Sequence, residues 1–132
     1  MIGGNSVVLV VEDERPLAEA ISLKLKKNNF DVVSARSVEQ ALDYLNGSVA
    51  IDAIWLDHYL LGKENGLDLV MTLKGSEGKW KGIPIFVVSN TAGPDKVQSY
   101  IRLGVNKYFV KAENRLDDII TEIKKALVNP SE

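Results

Sequence analysis

Residues 53–60 read AIWLDHYL, a run of apolar side chains that stops on a carboxylate, Asp57. An acid where a buried strand should simply end either caps a turn or is held there for its chemistry. The neighbouring segments narrow the choice. Similar short apolar runs recur at Val7–Val11, Val32–Ala35, Ile51–Leu56, Ile83–Val88 and Tyr108–Val110. They are rich in β-branched residues and do not alternate with polar ones, which is how strands covered on both faces read.

Segments of helical spacing separate these runs. In the first, Leu17, Ile21 and Leu25 recur every four residues, and Asn28 and Asn29 supply a stop. The second starts at a Ser37 N-cap, turns Ala41, Leu42 and Leu45 inward, and ends at Gly47. The third carries Leu67, Val70, Met71 and Lys74 before GSEGKWKG breaks the pattern. The fourth begins near Pro94 and stops at Gly104. In the fifth, Leu116, Ile119, Ile120, Ile123 and Leu127 form one apolar stripe.

Strand and helix thus alternate through the chain, which predicts a parallel sheet with helices on both faces. Right-handed crossovers leave few arrangements. The leading one is a flavodoxin-like, doubly wound (βα)5 fold with a five-stranded parallel sheet in the order 2-1-3-4-5. Such sheets take ligands beyond the carboxyl ends of strands 1 and 3. We expect a single domain over residues 6–128, with frayed ends at 1–5 and 129–132.

The residues at those strand ends carry chemistry. Glu12, Asp13 and Glu14 follow strand 1, Asp57 ends strand 3, Ser89 and Asn90 end strand 4, and Lys111 ends strand 5. Glu12, Asp13 and Asp57 would repel one another unless a cation neutralised them. Mg2+, a hard ion that uses one or two carboxylates plus a phosphate, suits them best. A carboxylate beside a hydroxyl, an ammonium and a metal describes a site that stabilises a phosphoryl group on that carboxylate. Ser89 and Lys111 would then meet the added phosphoryl oxygens.

Composition narrows the class further. The 132 residues include no cysteine, which removes thiol catalysis and zinc–thiolate sites and fits a reducing compartment, so a cytoplasmic location is expected. Sixteen basic against eighteen acidic residues leave a net charge of −2, no footprint for direct nucleic-acid binding. The apolar runs are too short to span a membrane.

Over roughly Val7 to Leu127 the chain resembles the receiver domains of two-component response regulators. VVLVVEDERP resembles that family's first strand and acidic pair, IDAIWLD its phosphorylated strand, VVSNTAG its fourth strand with the hydroxyl residue, and VNKYFVKA its fifth. The resemblance implies Asp57 as phospho-acceptor, Asp13 as a direct and Glu12 as an indirect Mg2+ partner, and Tyr59 among the metal contacts. It implies Ser89 and Lys111 at the phosphoryl group, and Ser89 with Tyr108 as the switching pair. It further implies a sensor histidine kinase or phosphotransfer protein as donor, with output through the helix 4–strand 5–helix 5 face. Such a domain catalyses its own phosphorylation and dephosphorylation but serves mainly as a switch. The target is expected in trans, or in an output domain of a longer protein from which this chain derives.

Three positions depart from the pattern. Leu60 and Leu61 stand where the family has a hydrophobic residue and a proline. Gly66 falls one position later than the usual loop glycine, and Ala112 replaces the proline after the lysine. The Lys111–Ala112 bond is therefore expected to be trans, with the loop from Ala112 to Arg115 making the adjustment and Asn114 near the N-cap of helix 5.

Other readings compete at single positions. Asp57 could be a turn residue, Glu12 and Asp13 the acidic start of a helix, Ser89 a plain strand-end hydroxyl, Lys111 a solvated cation and Tyr108 a packed core ring. Glu14 needs no more than the helix dipole. His58 is expected to face solvent, and Trp80 to act as a lid over the core or a partner contact. Among whole functions, a flavodoxin would have its FMN phosphate repelled by EDERP. A haloacid-dehalogenase-type phosphatase would need an aspartate at position 59, and no phosphate-binding G-x-x-x-x-G-K-[ST] loop is present. The remaining alternative is a pseudo-receiver, a non-phosphorylated protein-interaction module.

Overall fold

The computed structural model describes residues 5–75 and 78–128; residues 1–4 and 129–132 of the expected frayed ends, and residues 76–77 of the GSEGKWKG breaker, lie outside them. Five strands alternate with five helices. They are β1 (Val7–Val11), α1 (Arg15–Lys27), β2 (Asp31–Ala35), α2 (Val38–Leu45), β3 (Ala53–Leu56), α3 (Gly66–Gly75), β4 (Ile85–Ser89), α4 (Pro94–Leu103), β5 (Lys107–Val110) and α5 (Leu116–Val128). All pairings are parallel and the strand order is β2-β1-β3-β4-β5, as expected.

The continuous apolar runs resolve into two faces. Leu9, Val11, Ile54, Leu56, Ile85 and Val87 point to a core shared with α2, α3 and α4. Their neighbours Val8, Val10, Ala53, Trp55, Phe86 and Val88 point to a second core under α1 and α5. Successive side chains of a strand alternate sides, so a strand covered on both faces must be apolar at every position. The edge strands β2 and β5 are correspondingly half-exposed.

Strand ends differ slightly from the expected runs, for reasons local to each. Strand β3 begins at Ala53 because Asp52 fixes its start: its carboxylate accepts from the Val7 amide at 2.8 Å and its own amide donates to the Val7 carbonyl. Pro84 has no N–H to give a neighbouring strand, so β4 starts at Ile85, although the Pro84 carbonyl still accepts from Ile54. The Asn106 side chain repeats the device of Asp52, accepting from the Ile85 amide at 3.1 Å.

Helix ends follow their capping residues. The Ser37 hydroxyl accepts from the Gln40 amide at 3.1 Å, α1 ends at Asn28 with Asn29 at a φ of 69°, and Gly104 closes α4 at a φ of 97°. One expectation is corrected. Met71 is not on the inward face of α3: Gly66, Leu69, Val70 and Leu73 are buried at helical spacing, which leaves Met71 outside and 55% exposed. Asn114 lies next to the N-cap of α5, as expected. It ends a 3-10 turn over Lys111–Glu113, where its amide donates to the Val110 carbonyl at 3.0 Å, and the Arg115 carbonyl accepts the first bonds of α5. The Lys111–Ala112 bond is trans. Trp80 packs against the core on the α2–α4 side, the lid reading. No helix among the described residues is long and apolar enough to cross a membrane.

Candidate phosphorylation site

Backbone pairing at the sheet's carboxyl edge brings the acidic residues together. The Glu12 amide donates to the Ala35 carbonyl at the tip of β2, and the Asp57 amide donates to the Val11 carbonyl at the tip of β1. Each acid is therefore the first residue past its strand, held by the neighbouring strand. Glu12, Asp13 and Asp57 each offer an oxygen within 4.8 Å of the others. Glu12 and Asp57 are buried, while Asp13 is half-exposed.

Lys111 enters this cluster from the end of β5. Its Nζ lies 3.0 Å from Glu12 Oε1 and 3.3 Å from Asp57 Oδ2. One ammonium thus faces a group of three carboxylates. Burial, and after it the Asp57 charge, raises the Glu12 carboxyl from 4.5 to about 7, with the Lys111 hydrogen bond only partly opposing them. For Lys111, burial acts to lower the ammonium's pKa, but its bonds to Glu12 and Asp57 outweigh burial and the net shift is upward. Asp57 Oδ1 has no hydrogen-bond partner, and neither does the hydroxyl of Ser89, which is 0% exposed at the end of β4. Buried oxygens without partners are costly unless something else binds them.

The remaining expected residues divide. Tyr108 is half-buried; its hydroxyl donates to the Thr91 carbonyl at 2.5 Å, and its ring lies 5.7 Å from that of Tyr100. Tyr59 is exposed and its phenol is turned to Lys96, whose Nζ donates to the Tyr59 hydroxyl at 3.1 Å and to Thr91 Oγ1 at 2.5 Å. The Tyr59 phenol is thus engaged by Lys96. His58 does not face solvent as expected. Its ring is half-buried, with Nδ1 2.6 Å from the Tyr100 hydroxyl.

Two contributors had no signal in the sequence. Arg36 donates from Nε and Nη2 to the Asp13 carbonyl at 3.2 and 3.0 Å and so fixes the loop after β1. Lys96 bridges Tyr59 and Thr91 across the mouth of the site. The shifted glycine, Gly66, keeps a steric role. A Cβ there would lie 2.6 Å from the Asp57 carbonyl oxygen and 2.7 Å from the Tyr100 hydroxyl. The longer loop before it is tied down where the Leu61 amide donates to the Arg36 carbonyl at 3.0 Å, forming a bridge between Leu61 and Ser37.

The response regulator receiver domain family matches residues 8–124. The chain belongs to that family. Among curated relatives of this receiver domain, the chemotaxis protein CheY1 of Helicobacter pylori is 30% identical over 105 residues, covering 79% of this chain and 83% of CheY1. The transcriptional regulatory protein CpxR of Escherichia coli is 33% identical over 81% of this chain but only 43% of its own length. Among solved structures, a response regulator receiver protein from Pseudomonas putida is 29% identical with a TM-score of 0.84, covering 94% of this chain and 99% of its own. The Mn(2+)-bound form of response regulator Rcp1 is 26% identical with a TM-score of 0.76, over 92% and 91%.

Proposed function

We propose that this receiver domain accepts a phosphoryl group from the phosphohistidine of a sensor kinase or phosphotransfer protein onto Asp57, in a Mg2+-dependent reaction. The reading rests above all on two buried oxygens without partners, Asp57 Oδ1 and Ser89 Oγ, with the Lys111 ammonium 3.3 Å from the other Asp57 oxygen. One oxygen suits a nucleophile, the other a donor to the group that arrives.

The carboxylates fit a hard divalent cation, since three oxygen donors converge with a single ammonium against them. Asp13 and Asp57 would hold it, with the Tyr59 carbonyl, and Glu12 would act behind them. When bound, such an ion draws charge from the phosphoryl oxygens; the Mn(2+)-bound relative carries a cation of this kind. An Asp57 carboxylate oxygen attacks phosphorus while the bond from phosphorus to the donor's imidazole nitrogen breaks. The imidazole leaves with that electron pair, and the product is an acyl phosphate. Lys111 supplies positive charge to the phosphoryl oxygens, and the Ser89 hydroxyl donates to one of them. Ser89 moving toward the phosphoryl group frees space that Tyr108 can enter, which alters the α4–β5–α5 face presented to a protein target. No observation favours the non-phosphorylated interaction module, since the acid, hydroxyl and lysine are all present.

Acetyl phosphate with Mg2+ should add one phosphoryl group to the wild-type chain, read by intact mass and mapped to Asp57. The Asp57→Asn protein should take none. Equal labelling of that variant would overturn the assignment.

A further inference from the structure

Helix α4 is anchored by one fully buried side chain, Tyr100, and its N-cap, Gly93, offers no side-chain bond. The hydroxyl of that anchor lies 2.6 Å from Nδ1 of His58, the residue directly after Asp57. The peptide that follows the phospho-acceptor is therefore hydrogen-bonded to the helix at the centre of the output face, across 42 positions of sequence.

We propose that His58 and Tyr100 form a second coupling path from Asp57 to α4, distinct from the Ser89–Tyr108 pair and resting on the phosphoryl-transfer reading above. A buried phenol needs a partner, and His58 supplies it. Any shift of the chain after Asp57 that accommodates a phosphoryl group and a cation has two outcomes: Tyr100 follows, carrying α4, or its hydroxyl is left buried and unpaired. Either outcome is a difference in interaction between the two states, which is what a switch requires.

The loop is built closely around this contact. The Gly66 amide donates to the His58 carbonyl at 2.8 Å, and only a residue without a Cβ leaves room there for the Tyr100 hydroxyl. Burial pushes the Tyr100 phenol up and, with Lys96, pushes the His58 imidazole down. Tyr100 also lies against Tyr108, so the two paths meet inside the fold. An outer tie runs parallel: Lys96 of α4 sits 4.6 Å above the Tyr59 ring, which packs edge-on against His58.

The test follows amide exchange of α4 by mass spectrometry with and without acetyl phosphate and Mg2+, alongside intact mass for the extent of phosphorylation. Tyr100→Phe keeps the ring and removes the hydroxyl, His58→Phe removes the same bond from its other end, and Gln98→Ala on the exposed side of α4 is the control. Both variants should accept the phosphoryl group yet lose roughly half or more of the wild-type change in α4 exchange. Combining Tyr100→Phe with Ser89→Ala should lose more than either alone. A merely structural role would raise exchange in both states and leave their difference intact. A full response in labelled Tyr100→Phe and His58→Phe would overturn this coupling alone. Wild-type protein that takes no phosphoryl group would instead overturn the function on which it rests.

Discussion

Glu12 makes the metal-free protein less stable as the pH rises toward neutrality, and Glu12→Gln should remove that dependence. The carboxyl is 1% exposed and its pKa is raised from 4.5 to about 7 by burial and by Asp57. Below about pH 4.5 both folded and unfolded chains hold this proton. Between 4.5 and 7 the unfolded chain releases it while the folded chain keeps it, so stability falls with rising pH through this window. Above 7 the whole penalty is present. At 1.36 kcal/mol for each pH step between the two values, it amounts to about 3 kcal/mol at most. His58 acts in the opposite sense, because its pKa is lowered on folding by burial and Lys96, and the unfolded chain binds its proton more readily. The informative quantity is therefore the difference between wild type and Glu12→Gln, in which His58 cancels. Urea unfolding followed by tryptophan fluorescence in EDTA, from pH 4.5 to 8, should show the variant gaining on wild type by up to about 3 kcal/mol. Excess Mg2+ should narrow the gap at neutral pH, since the ion relieves the same repulsion. Parallel curves for the two proteins in EDTA would refute the claim that Glu12 is held in an unfavourable buried setting.

Further outcomes follow from single contacts. Asp13→Ala should weaken Mg2+ binding by at least about tenfold while Glu14→Ala changes it little, measured by titration calorimetry, because Asp13 belongs to the carboxylate cluster and Glu14 does not; equal losses would mean the metal residues are misassigned. Gly66→Ala should cost roughly 1–3 kcal/mol in denaturant unfolding, since the added methyl meets the Asp57 carbonyl oxygen at 2.6 Å and the Tyr100 hydroxyl at 2.7 Å. Acyl-phosphate decay should be faster in a Tyr59→Asn, Thr91→Glu double variant than in wild type, and faster in Lys96→Ala as well, because Lys96 binds both Tyr59 and Thr91. Identical decay rates, read from the loss of labelled mass, would show that this bridge does not limit water access.

Legibility in the sequence followed the range of the interaction. The two-sided strands were visible because covering both faces makes every position apolar, and β1 and β3 read that way without ambiguity. Once strand order was fixed, Glu12, Asp57, Ser89 and Lys111 had to share one edge, whatever the loops did. Spacing alone misplaced Met71, because Leu67, Val70 and Met71 suit a face rotated from the one that Gly66, Leu69, Val70 and Leu73 occupy. Asn114 was legible beside the start of α5 for a local reason: its side-chain amide bonds back to Val110 and ends a 3-10 turn, so the helix starts after it.

The contacts that distinguish this receiver domain from its fold were the least legible, because they join loops and helix faces far apart in sequence. A histidine after Asp57 and a tyrosine in α4 look unrelated until α4 packs. The tyrosine then becomes the helix's sole fully buried side chain, with its hydroxyl against the histidine. The one-residue shift of Gly66 acquires its meaning from the same packing. The loop that delays the glycine is pinned at Leu61, and the glycine still arrives where a Cβ would strike the Tyr100 hydroxyl. A one-residue deletion that restored the family's loop spacing would then disturb the His58–Tyr100 contact even though it left every residue of the acidic cluster in place. Loop length, Gly66 and Tyr100 thus act as one structural unit, and changes in any of them should be judged against the other two.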